Sequence, residues 1–110
     1  MRLHYCIAIA SLSALLIGTG CFRQDRRTIT VKVPNLRSEA CLHLIQNAAK
    51  PVDGIEQLTP DYANGTLDVT YNAMKLGIKN IEFVIAGAGF DANETKAPDN
   101  VKAALPEGCR

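Results

Sequence analysis

Asn64-Gly65 sits between two runs of alternating polarity, and no other pair constrains the fold of this chain as tightly. Asparagine and glycine tolerate the positive φ angles of a two-residue turn, so the flanking strands are predicted to pair antiparallel. On the far side, Thr66-Leu67-Asp68-Val69-Thr70-Tyr71 alternates strictly between polar and apolar residues. On the near side a strand is expected from Ile55 to about Tyr62. Pro60 has no N–H to give to a ladder, which puts that strand at a sheet edge.

Upstream, Thr28-Ile29-Thr30-Val31-Lys32-Val33 alternates with Ile29, Val31 and Val33 on one face, and Pro34 ends the run. Ser38 is expected to cap the next element, its hydroxyl accepting from the backbone N–H of Ala40 or Cys41. Cys41, Leu44, Ile45 and Ala48 fall on one helical face, and that helix stops before Pro51, with Asp53-Gly54 turning the chain. Ile78, Ile81, Ile85 and Ala88 predict a second helix, from near Gly77 to a C-terminal cap at Gly89. Phe90-Asp91-Ala92-Asn93 is expected to open a short fourth strand. This βαββαβ order is the split βαβ pattern of a ferredoxin-like α+β domain, with two helices on one face of a four-stranded antiparallel sheet. The domain is assigned to residues 28–93 and a tail to 94–110, in which Pro98-Asp99 starts a short helix through Leu105 and Pro106 stops it.

With 110 residues, one small domain is the expectation. Arg2 and His4 precede an apolar run from Cys6 to Ile17, and Gly18-Thr19-Gly20 supplies small residues before Cys21, so residues 1–20 read as an export signal. The run is short for a permanent bilayer span. Leu15-Leu16-Ile17-Gly18-Thr19-Gly20-Cys21 resembles a bacterial lipoprotein signal, although Gly18 stands where leucine is usual. That resemblance implies lipidation of Cys21 as the mature N-terminus and a location on the periplasmic side of a bacterial membrane. The alternatives are an ordinary secretory signal, with Cys21 a free or paired thiol, and an uncleaved anchor. Residues 21–27 form a tether whose Arg23, Arg26 and Arg27 either rest on anionic headgroups or are simply solvated. Removing Arg2 from the twelve Lys/Arg leaves eleven against eleven Asp/Glu, so no net positive field is available to attract nucleic acid.

If Cys21 is acylated, Cys41 and Cys109 remain as an even pair, either a disulfide or two thiolate ligands. From Thr28 to about Asn93 the chain resembles a heavy-metal-associated domain, the module of copper chaperones, metal-pump N-termini and mercury-binding periplasmic proteins. The matching pieces are Val33, the loop from Leu36 to Cys41, Val52-Asp53-Gly54-Ile55, Val69-Thr70-Tyr71-Asn72, and Ile81 through Ala88-Gly89-Phe90-Asp91-Ala92. In that family a Gly-Met-x-Cys-x-x-Cys loop holds a soft ion such as Cu(I) between two thiolates. Here Asn35 replaces the glycine, Leu36 the buried methionine and Ser38 the first cysteine, which leaves Cys41 as the one matching ligand. A neutral hydroxyl is a poor ligand for a soft ion.

The resemblance implies a non-enzyme that binds or transfers a soft metal ion through Cys41, with a metal-transport or metal-accepting protein as partner. Cys41 lies in a first helical turn, where the dipole and unpaired N–H groups favour thiolate; its alternative is a small buried hydrophobe. The tail is long enough to bring Cys109 back to Cys41, to replace the missing loop cysteine or to form a disulfide with it; otherwise Cys109 is a free terminus. With Cys41 buried or so bonded, the chain would be a degenerate interaction or structural module. His43 points some 200° around the helix from Cys41 and is expected to face solvent. Asp99 is expected at a helix start and Glu107 as a solvated charge. Gly87-Ala88-Gly89 ends a helix and is not a phosphate loop. Neither a Gly-x-Ser-x-Gly elbow nor a Cys-x-x-Cys is present, which argues against serine-hydrolase and thiol-redox enzymes.

Overall fold

The computed structural model describes residues 25–110. The export signal, the lipid site at Cys21 and Arg23 lie outside the described residues. Strand β1 (Arg26–Lys32) leads into helix α1 (Glu39–Ala49), strands β2 (Ile55–Asp61) and β3 (Thr66–Asn72), and helix α2 (Ile78–Gly87). A short helix α3 (Asp99–Ala103) and a 3-10 turn (Glu107–Cys109) complete the chain.

The sheet has the order β1-β3-β2, antiparallel throughout. The predicted hairpin forms, but through a four-residue loop, 62–65, instead of a two-residue turn: Gly65 alone takes a positive φ, +65°, and Asp61 accepts hydrogen bonds from both the backbone and side-chain amides of Asn64. Pro60 lies opposite Leu67 on edge strand β2, where a missing N–H costs no interior ladder bond. Val31, Leu67, Val69 and Tyr71 point inward and are buried. The outer face is polar, with Thr28 bonded to Thr70 and Thr30 donating to Asp68. β1 begins two residues earlier than the alternation indicated. Arg26 and Arg27 therefore belong to the sheet rather than to a tether, Arg26 pairing with Glu56 and Arg27 with Asp25.

Both helices cover the inner face, rotated slightly from the predicted stripes. On α1 the buried residues are Cys41, Leu42, Ile45 and Ala49, while Leu44 and Ala48 are half-buried. On α2, Ile81, Ile85 and Ala86 are buried, whereas Ile78 in its first turn is 48% exposed. Gly89 follows the helix at φ +107°, as a C-terminal cap requires.

The expected fourth strand does not form among the described residues. Phe90 and Ala92 do alternate inward and are fully buried, but only one rung reaches the free edge of β1. Asn93 makes it: its N–H donates to the Lys32 carbonyl and its Oδ1 accepts from the Lys32 N–H. Asn93 takes φ +52°, a left-handed conformation that asparagine tolerates, and the chain turns back on itself between Ala92 and Thr95. A buried carboxylate fixes this turn. Glu82 on α2 is 4% exposed and accepts from Asn93 Nδ2 at 3.0 Å, Thr95 Oγ1 at 2.7 Å and Lys79 Nζ at 3.0 Å. A strand continuing past Asn93 would leave that buried carboxylate with Lys79 as its one remaining partner among these three, so the turn wins over the ladder.

The hydrogen bonds from Asn93 and then Thr95, helped by Lys79, hold the Glu82 pKa down at about 2. Because the folded pKa lies below the ordinary carboxylate value of 4.5, the stabilisation is complete above that value. It is expected to disappear as pH falls from about 4.5 toward 2. Glu82→Gln should flatten this part of the pH profile in melts from pH 6 to 2. It should also cost about 1–3 kcal/mol at neutral pH, because buried donors lose a charged acceptor. An unchanged profile would show that the carboxylate does not hold the turn.

Candidate functional site

The site is assembled from two distant segments, the loop after β1 and the C-terminal tail. After β1, Leu36 N–H donates to the Val33 carbonyl at 3.0 Å and the Leu36 side chain is fully buried, which anchors the loop leading to α1. Ser38 is extended at φ −154° and its carbonyl accepts the Leu42 N–H at 3.1 Å, so it does occupy the N-cap position. The predicted side-chain cap is absent, however. The Ser38 hydroxyl instead lies 3.4 Å from Cys41 Sγ.

Cys41, in the first turn of α1, has no exposed surface, and its sulfur is bonded to Cys109 across 68 residues. The Sγ–Sγ distance is 2.11 Å and the Cα atoms are 5.6 Å apart, within the range that a disulfide spans without backbone movement. Cys109, in the terminal 3-10 turn, is 2% exposed. The free-terminus alternative is therefore excluded, and the disulfide alternative describes this state. Neither sulfur carries a proton here, so the Ser38 hydroxyl is the donor in its contact with Cys41. The Gly108 carbonyl, 3.6 Å from the same sulfur, can accept a hydrogen bond only once Cys41 is a thiol.

The tail reaches this position because it is packed, not loose. Leu105, which is 5% exposed, lies on the bare backbone of Gly89, where an added Cβ would come within 2.9 Å of its Cγ. Ala97 is buried as well. Asp91 Oδ1 accepts the Ala97 N–H at 2.8 Å and Oδ2 accepts Lys102 Nζ at 2.8 Å, with Lys96 at 3.8 Å. The Lys102 hydrogen bond, then that from Ala97 N–H, keeps the Asp91 carboxyl below the usual carboxylate range. Arg110 Nε donates to the Leu105 carbonyl at 2.8 Å and closes the last turn. Leu105 and Asp91 were not legible as site supports; the one available sign was an isolated leucine in a polar tail.

Among the predicted site residues, Cys41, Cys109 and Ser38 come together, and Leu36 lies in the core beneath the loop. His43 is exposed and takes no part, and Asp99 and Glu107 open α3 and the 3-10 turn as exposed residues. Among the described residues, no group of three or more His, Cys, Asp and Glu is placed to hold a metal ion. Likewise, no helix of the described residues is long and apolar enough to cross a membrane. The disulfide cannot ligate a cation. Adding two electrons and two protons yields two thiols, the form from which thiolate ligands derive.

The family model of the heavy-metal-associated domain matches residues 30–91. The fold resembles that of oxidised MerP from Ralstonia metallidurans CH34, at 22% identity and a TM-score of 0.56, covering 62% of this chain and 94% of that one. It also resembles a copper-binding domain of the P-type ATPase HMA7, at 25% identity and a TM-score of 0.55, covering 61% and 90%. The metallochaperone CopZ is similar at 20% identity and a TM-score of 0.56, covering 60% and 98%. No curated protein matches the chain. The matched region ends at Asp91, so α3 and the cysteine-bearing turn are additions to it.

Proposed function

The chain belongs to the heavy-metal-associated domain family, and from that premise we propose that it is a soft-metal carrier whose two-sulfur site is split between α1 and the tail. In the reduced state Cys41 and Cys109 hold the cargo, a soft ion such as Cu(I). The disulfide is the same site emptied and closed. One observation carries this reading: the sulfur of Cys109 is delivered to Cys41 next to Ser38, the residue that the family resemblance puts at the first thiolate position. Thiolates suit a soft cation and a hydroxyl does not, so the tail cysteine supplies what the loop lacks. The cargo is carried and not transformed, and its recipient would be a metal-accepting or metal-transporting protein.

The test is an anaerobic Cu(I) titration of the reduced protein against a competing chelator. One ion per chain is expected, with affinity reduced at least about 100-fold in Cys41→Ser, since losing one arm of a chelate forfeits its effective concentration. Equal affinities in the two proteins would end the metal reading. The burial of both sulfurs favours a second reading, in which the disulfide is a permanent staple in a structural module. A reduced protein that takes up no Cu(I) is the outcome that reading requires.

Export to the periplasmic side and a lipid anchor on Cys21 are part of the same proposal. The small residues before Cys21 support it, as does a disulfide, which persists in oxidising compartments. Mass spectrometry of the mature N-terminus is expected to find an acylated Cys21. A chain beginning with Met1, or an unmodified Cys21, would contradict the anchor.

A further inference from the structure

We propose that Asp91 is a positioning residue for the split site: its carboxylate clasps the tail so that Cys109 stays opposite Cys41 after the disulfide is reduced. This rests on the reading of the two sulfurs as one site, but it concerns what holds them together.

The contacts that seat the tail do not need the disulfide. Asp91 immediately follows the buried Phe90 on one side of the seat. Its two oxygens bind separate points of the tail, Oδ1 the Ala97 N–H and Oδ2 the Lys102 ammonium. Between Lys102 and Cys109, Leu105 fills the space over Gly89, and Arg110 is tied back to the Leu105 carbonyl. None of these contacts runs through a sulfur atom. Cys109 then remains a tethered neighbour of Cys41, and tethering is what raises the effective concentration of a second ligand or a second thiol. The Asp91 side chain is 19% exposed, so its bond to Lys102 is shielded more than a surface ion pair. Asp91 closes the region matched to the family, and every residue it binds lies in the added tail. In this chain the carboxylate therefore fastens the segment that carries Cys109.

Effective concentration can be read without metal. In the full chain carrying Cys6→Ser and Cys21→Ser, Cys41 and Cys109 form the exchanging pair with glutathione. Two reduced glutathiones and the disulfide interconvert with one oxidised glutathione and the dithiol, so the equilibrium constant reports how well the fold holds the two sulfurs together. Asp91→Asn is expected to shift that constant about tenfold toward the dithiol, the scale of one charge-assisted hydrogen bond. Lys102→Ala should produce a similar shift, and the double variant should be no worse than the stronger single one. Val69→Ala, in the core of β3, lowers the stability of oxidised and reduced forms alike and should leave the constant unmoved, which separates positioning from general destabilisation.

In the same proteins Cu(I) affinity should fall by the same factor as the glutathione constant. If the parent takes up no Cu(I) while Asp91→Asn still shifts the constant, the carrier reading fails and the clasp stands. A constant for Asp91→Asn within twofold of the parent overturns the clasp, whatever the metal result.

Discussion

Reduction of the Cys41–Cys109 disulfide should lower the thermal midpoint of the oxidised protein by about 15 °C or more. The bond closes a loop of 68 residues, and the loss of loop-closure entropy in the unfolded chain amounts to about 4 kcal/mol at that length. In a domain this small, such a loss is a large share of total stability. It does not fall evenly. β1 and β3 pair along seven residues, and the burial of Val31, Leu67, Val69 and Tyr71 is built on that pairing and not on the bond. The 3-10 turn has fewer independent supports, chiefly Leu105 over Gly89 and the Asp91 clasp. Melts of oxidised protein, reduced protein and Cys109→Ala should therefore group the last two together, well below the first. A difference of under about 3 °C would show that closing this loop adds little to stability.

The second large effect comes from supplying the sulfur that the loop lacks. Ser38 Oγ already lies 3.4 Å from Cys41 Sγ, so Ser38→Cys would place a thiol beside Cys41 with little backbone movement. Combined with Cys109→Ala, it should bind Cu(I) at least about 100-fold more tightly than Cys109→Ala alone, because two tethered thiolates replace one. The same double variant would no longer hold the tail covalently. Metal affinity and resistance to heating would then part company, affinity restored and melting point left low. If Ser38→Cys does not rescue binding, the loop geometry and not the ligand count is what departs from the family.

Much of this arrangement could be read from the chain. Asn64-Gly65 and the alternation after it fixed the hairpin, Pro60 assigned β2 to the edge, and the helical spacings located both helices to within a turn. These are local signals, set by backbone conformation and by one-sided burial. The fourth strand misled because Phe90 and Ala92 do alternate into the core, while what stops the strand is Glu82, eleven and thirteen residues before its partners Asn93 and Thr95. No periodicity connects them. Ser38 illustrates the opposite limit: its position at the helix start was legible, but its hydroxyl turns to a sulfur and not to a backbone amide. The cysteine pair was legible only as alternatives, because cysteine count and tail length permit a disulfide without requiring one. Their juxtaposition depends on Leu105, Gly89 and Asp91, contacts made across the fold by a segment with little pattern of its own.

Cys41 and Cys109 are proposed to act as one two-sulfur site for a soft ion. X-ray absorption of the reduced, Cu(I)-loaded protein tests it most directly. Two sulfur neighbours around copper are expected in the parent, with the loss of one in Cys109→Ser. Copper coordination unchanged by Cys109→Ser, or copper without sulfur neighbours in the parent, would contradict it.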